Sequence, residues 1–305
     1  MSIELISTGV IVVWACIMIL LERKYPYTRG MKFFRDGWWL DFFWYTLVQS
    51  YFLQILIFDF IIAPLKAKMG LTGTGILSHW PIWILIPLFL VIHDFYIYWF
   101  HRLQHENKLF WRIHEAHHSV TTVDWLAGSR SHFMEIIINQ TIEFAPIMFL
   151  LDTHTGHIVV VIKGLIDALW GMWIHSNIDV HSGKLQYVIN GPEMHQWHHS
   201  DHREVFYSNY STKFAIWDWL FGTAFLPGLK PFKYQVLKPE KYGLPYDYPR
   251  DYFEQQWFLF HRFDVKKFES IPLVKYYIDW KKPFIKPFQN EVANGAPSVK
   301  PQRSK

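Results

Sequence analysis

Five long apolar stretches alternate with short polar ones along the first 175 residues of the chain. The first runs from residue 3 to 21 and closes on Glu22, Arg23 and Lys24. A helix that crosses a bilayer needs roughly 20 apolar residues, so this stretch can span. No basic segment precedes it and no small-residue cleavage site follows, so it reads as an anchor and not as a removable signal. The second stretch, 38–65, carries Asp41 and Asp59; the third, 80–100, contains Pro87, which predicts a kink. Two more, 136–151 and 158–174, hold Glu143, Lys163 and Asp167, with residues 153–156 expected to turn between them. That pair reads as a hairpin crossing the membrane fully or in part. Beyond residue 175 no stretch of spanning length remains. Residues 230–250 read as a loop rich in Pro, Tyr and Lys. Residues 251–263 read as an amphipathic helix lying on the membrane, and the last fifteen residues as a disordered tail.

The pattern predicts an all-α, multi-pass membrane protein. It has about four to five transmembrane or partly inserted helices and a cytosolic cap rich in histidine. Three regions follow: N-terminal spans over 1–79, a core over 80–228, and a cytosolic or interfacial extension over 229–305. Composition agrees. Charged residues are 18% of the 305, below the roughly 25% of soluble proteins, and 16 Trp and 16 Tyr suit long membrane–water interfaces. The net charge of +4 comes from basic residues beside the apolar stretches, not from one patch, which argues against nucleic acid as a partner.

Charge also orients the chain. Arg23, Lys24, Arg29, Lys32 and Arg35 lie between the first two stretches, and only Lys66 and Lys68 between the second and third. The positive-inside rule then puts the first loop in the cytosol. Counting spans from there brings residues 101 and 174 to the same cytosolic face.

Both ends lead into histidine. The only cysteine is Cys16, so any metal must be held by histidine or carboxylate, and there are 17 histidines. Three clusters stand out: His101 with His105, His114 with His117 and His118, and His195 with His198 and His199. Residues three or four apart share a helix face, so each cluster can present two imidazoles to one ion. Adjacent histidines at the end of a cluster point in different directions, which suits two ions close together. Eight histidines exceed the four ligands of a single zinc. Polar groups at a membrane edge are costly, so such a set implies a function. Asp94 lies two helical turns before His101, where its carboxylate could orient a ligand.

The stretch from His93-Asp94 through His101 to His105 resembles the first histidine box of the sterol desaturase/fatty acid hydroxylase superfamily, integral-membrane di-iron enzymes. His114–His118 and His195–His199 resemble its second and third boxes. Arg130-Ser131-His132 with Glu135 downstream, Trp173-Ile174-His175-Ser176-Asn177, and Asn209-Tyr210 followed by Trp217 to Thr223 are further matches. The likeness covers about residues 94–223.

The resemblance implies catalytic metal ligands at His101, His105, His114, His117, His118, His175, His195, His198 and His199. Some family members have a second histidine four residues after the position of His175; this chain has Asp179, which could bind metal or bridge through water. His132 and His202 are candidates for a supporting role around the ligands. The implied cofactor is two iron ions, with zinc a possible substitute in purified protein. The implied reaction is hydroxylation or desaturation of an aliphatic C–H of a lipid such as a sterol, fatty acyl chain or ether lipid, with O₂. No haem-, flavin-, nicotinamide- or cluster-binding motif is visible, so electrons are expected from a separate cytochrome b5-like, ferredoxin-like or reductase partner. The membrane would be the inner membrane of a bacterium or the endoplasmic reticulum of a eukaryote. Two other classes stay open: a membrane zinc-dependent lipid hydrolase, with Glu115 of His114-Glu115 as a possible base, and a non-enzymatic metal-binding membrane protein.

Overall fold

The computed structural model of the protein describes residues 2–71, 75–202, 205–227 and 238–261. Among these residues the secondary structure is helical, with two isolated β-bridges, Pro26–Ile178 and Ser200–Tyr242. Five helices are long and apolar enough to cross a membrane. The first, α1 (Ile3–Lys24), starts at a Ser2 cap and ends on Arg23 and Lys24, both favourable at the respective ends of a helix dipole. The second, α2 (Leu40–Lys68), is continuous but contains two segments of wider π-type turns, Leu40–Gln49 and Leu56–Ile62. In the first of these, Thr46 Oγ1 and Ser50 Oγ each donate to the carbonyl five residues back, of Asp41 and Tyr45.

Helix α3 (Ile82–Glu106) follows Pro81 and continues through Pro87. Asn107 closes it and caps the next helix, α4 (Lys108–His118), by accepting from the Leu109 and Phe110 amides. This two-way cap makes a tight corner, and the last turns of α3 face the body of α4. Helices α5 (Phe133–Leu150) and α6 (Thr153–His175) form the expected hairpin. Its break falls earlier than the sequence suggests. Asp152 accepts from the His154 and Thr155 amides, so residues 153–156 are the first turn of α6 and not the turn between helices.

Helix α6 is the hub, packing against α1, α3 and α5. At the end of the bundle remote from the histidines, α2, α3, α5 and α6 close on an apolar core of Leu53, Ile57, Leu85, Phe144, Ile147 and Val159. The outer faces are apolar as well: Leu20 is 68% exposed, Phe60 69% and Trp83 74%. Glu143, Lys163 and Asp41 are buried inside. Apolar residues outside and ionisable ones inside are the inverse of a soluble domain and what a lipid solvent demands. The chain is a membrane protein.

Beyond the bundle lie the short helices α7 (Pro192–His198) and α8 (Ile216–Leu220), and α9 (Tyr252–His261). Of the helix expected over 251–263, Tyr252–His261 forms and residues 262–263 lie outside the described residues; its inner face docks on protein. Gln255 accepts from the Tyr45 hydroxyl at 2.5 Å, Gln256 accepts from the Phe133 amide, and the Tyr252 hydroxyl donates to Gln49. The tail expected to be disordered lies outside the described residues.

Candidate metal centre

All nine candidate histidines lie at one end of the bundle, and all are buried. They fall into two groups, each able to hold a metal ion: His101, His105, His114, His118 and His198 in one, and His117, His175, His195 and His199 in the other. Helical spacing explains the sorting. His101 and His105, His114 and His118, and His195 and His199 are each four residues apart, and each pair joins a single group. The neighbours His117/His118 and His198/His199 are divided, one member to each group. Ring centroids of His118 and His199 lie 4.7 Å apart across the divide, so the two groups abut.

In the second group the Nε2 atoms converge. His195 lies 2.8 Å from His175 and 3.1 Å from His199, and His175 lies 3.3 Å from His117. Four nitrogens held about 2.1 Å from one tetrahedral ion would stand about 3.4 Å apart. The first group presents buried Nε2 atoms of His101, His114, His118 and His198 with no protein partner. An unpaired buried polar atom is costly, and a set of them turned toward one point fits a metal cation. The donor set is all imidazole, which suits iron, zinc, copper or nickel.

In five of the nine the far nitrogen is anchored. Nδ1 of His101 bonds the Tyr210 carbonyl at 2.7 Å, His117 that of Arg130 at 3.0 Å, His175 that of Gly171 at 2.8 Å and His198 that of Ser208 at 2.8 Å. His114 Nδ1 bonds the Glu135 carboxylate at 2.8 Å. Each acceptor requires the proton on Nδ1 and leaves the Nε2 lone pair free for a ligand's task. Burial pushes His114, His118, His195, His198 and His199 well below the ordinary imidazole value and His117 to about 4. The neutral, metal-binding form therefore prevails at neutral pH.

The scaffold behind these carbonyls is ionic. Arg130 donates to both Asp41 oxygens, at 2.6 and 3.1 Å, and Arg35 joins Asp41 to Asp124. This ties α2 to the loop that carries the Arg130 carbonyl. Gly128 in that loop lies so close to His175 that an added Cβ would stand 2.5 Å from Nδ1; only glycine fits.

Several sequence expectations change. Asp94 orients no histidine: its two oxygens take four donors, from the Thr212 hydroxyl, the Lys213 and Phe214 amides and the Trp217 indole. With Asp218, which accepts from the Tyr210 and Ser211 amides, it fixes the loop whose Tyr210 carbonyl holds His101. His132 also stays away from the ligands; its ring caps the Met134 amide and bonds the Gln256 carbonyl. His202 packs beside Trp197 and belongs to neither group. Asp179 is paired with Lys238 at 2.8 Å and lies near His181, not at the centre. Glu115, the candidate base of a zinc hydrolase, is turned to Arg112 and to the Tyr246 hydroxyl.

The basic loop after α1 lies at this same end. Tyr27 and Thr28 bond Asn177, and the Asp179 amide bonds the Tyr25 carbonyl. Glu22 reaches the Trp125 and Asn177 amides. The loop and the histidines therefore share a face, as charge counting along the sequence suggests.

Residues 86–223 match the fatty acid hydroxylase family. Relatives include the ornithine lipid hydroxylase OlsE of Rhizobium tropici, 31% identical over 213 residues, which are 68% of this chain and 63% of that protein. The alkylglycerol monooxygenase of Xenopus tropicalis is 30% identical over 53% of this chain and 34% of its own length. A putative methylsterol monooxygenase of Dictyostelium discoideum is 27% identical over 59% of this chain and 67% of its own. The chain thus spans less than two thirds of the first two. No solved structure matches it significantly.

Proposed function

The chain belongs to the fatty acid hydroxylase family, and we propose that it is a membrane di-iron oxygenase that hydroxylates an aliphatic C–H of a lipid, with residues 80–228 as the catalytic core. One observation carries the reading: nine buried histidines divide into two abutting groups, each with ring nitrogens turned inward. His101, His105, His114, His118 and His198 would hold one iron, and His117, His175, His195 and His199 the other. When bound, the iron pair supplies the O₂ activation that side chains lack. Overall, one oxygen atom enters the C–H bond and the other leaves as water, with two electrons and two protons from outside.

The chain's own residues orient and enclose. Backbone carbonyls and Glu135 fix the tautomers of five ligands, and Asp94 and Asp218 stiffen the loop behind His101. A cavity of about 390 Å³ opens beside His101, His114, His117, His175 and His195 and would receive the substrate from the bilayer. The basic loop on the same face favours a cytosolic placement and offers a docking surface to an acidic electron carrier.

The alternatives lose ground on particular observations. A zinc hydrolase needs a carboxylate base at the metal, and Glu115 faces away. A metal-carrying membrane protein would place its ligands near mid-span, and here they cluster at helix ends.

The test is turnover of purified, iron-loaded protein with candidate lipids under isotopically labelled O₂. A hydroxylated lipid carrying the label is the expected result. Product formed equally well without O₂ would overturn the proposal.

A further inference from the structure

The cavity at the histidines has two unlike ends. One is formed by the candidate ligands. The other carries a polar patch formed by His93, Asn139, Glu143 and Asp167 of the spanning helices and by Thr212 and Lys213 of the loop before α8. Behind this wall Lys163 is fully buried, and its ammonium bonds Glu143 at 2.5 Å, Asp167 at 2.7 Å and His93 Nδ1 at 3.0 Å. Lys213 pairs with the second oxygen of Asp167 at 2.6 Å. Two lysines stand against two carboxylates, so the wall is polar but formally balanced.

A wall meant for a hydrocarbon is built differently. A second hollow of about 470 Å³, on the α1 side of α6, is lined by Trp14, Ile166, Leu169, Trp173, Leu185 and Ile189, and Trp170 borders both hollows. That hollow has almost no polar lining, whereas the cavity beside the histidines joins apolar walls, among them Ile97, Phe100, Ile136 and Phe144, to this one ionic patch. Ionisable groups inside a membrane protein are expensive and mark function. A bare alkyl chain pressed against them would strip their remaining hydration and return no hydrogen bond.

We propose that this wall is a subsite for the polar end of an amphiphilic substrate, an end that hydrogen-bonds without net charge, such as a hydroxyl, ether, amide or zwitterion. The assignment rests on the lipid-oxygenase reading of the same cavity and narrows it. His93 lies eight residues before His101 on α3, and Asp167 eight before His175 on α6, so the subsite is about 12 Å from the candidate ligands along either helix. The oxidised carbon then lies within that reach of the polar end, and the far end of a long chain lies outside the cavity.

Binding tests this without turnover. The full chain in nanodiscs is titrated with tritiated 1-hexadecanol, hexadecane and hexadecanoate, with affinities expressed per mole fraction in the bilayer. Wild type is expected to hold hexadecanol about tenfold more tightly than hexadecane, the worth of one hydrogen bond to a charged group, and hexadecanoate no more tightly than hexadecanol. The double variant Lys163→Met, Glu143→Leu leaves the Asp167–Lys213 pair intact and is expected to bring the alcohol and the alkane within about twofold of each other. Equal affinities in wild type, or an undiminished preference in the double variant, would overturn the subsite. Should the double variant not fold, Asn139→Leu is judged by the same two outcomes. Iron content and O₂ consumption, measured separately, report on the oxygenase reading and leave this result standing or falling on its own.

Discussion

The protein buries two polar clusters about two helical turns apart, and they are built on opposite principles. In the intramembrane cluster each charge meets a countercharge: Lys163 with Glu143 and Asp167, and Lys213 with Asp167. In the histidine cluster five of the nine rings are anchored at Nδ1, while buried Nε2 atoms such as those of His101, His114 and His198 meet no protein partner. A satisfied network can stand as it is. A set of inward-facing lone pairs is complete only with a cation. The difference separates a cluster able to hold a metal ion from a network already balanced within itself.

The comparison can be broken most severely at Gly128. Gly128→Ala puts a carbon 2.5 Å from His175 Nδ1 and must displace the ring, so the second group should lose its ion while the first keeps its own; metal analysis of the purified variant checks this. Next is Lys163→Met alone. It strands Glu143 and should destabilise the protein by about 3–5 kcal/mol, whereas adding Glu143→Leu should restore stability to within about 1 kcal/mol of wild type. Thermal unfolding of both variants in one detergent makes the comparison. Glu135→Gln is milder, weakening the carboxylate that orients His114 and lowering metal affinity by about 10- to 100-fold, as chelator competition would show.

The smallest effect is a pH slope. Burial lowers His132 to about 4, below the roughly 6.5 of an unfolded imidazole. Its neutral form is thus the one the fold accepts. Its contribution is intact above pH 6.5 and is lost as pH falls from about 6.5 toward 4, where the unfolded chain binds the proton first. His132→Asn keeps an acceptor for the Met134 amide and should flatten that part of the stability profile. An unchanged slope would assign the acid sensitivity to other groups.

Much of the architecture was legible in the chain because lipid imposes it. A bilayer crossing needs a run of apolar residues, and each of the five runs became a helix. Spacing also foretold how His117 parts from His118 and His198 from His199, since helical geometry alone turns neighbours apart. What stayed hidden depends on contacts distant in sequence. Asp94 sits on the right face for orienting His101, yet the loop 212–217 reaches it first with four donors. The carbonyls of Tyr210, Arg130 and Ser208 carry no residue-type signal, so no motif could name them as anchors. Glu135 stood in a recognised motif, but its bond to His114 spans 21 residues. The buried ionic network was visible as Glu143, Lys163 and Asp167 inside apolar stretches, and only the packing of α3 on α6 and of the loop before α8 showed that His93 and Lys213 complete it.

The central claim is that the two histidine groups each hold one iron. Iron is counted per chain, with a Mössbauer spectrum, for wild type and for His199→Ala after anaerobic iron loading. The account predicts about two irons in wild type, at one each per group, and about one in the variant. Wild type that takes up no iron and consumes no O₂, or a variant that still holds two, would contradict it.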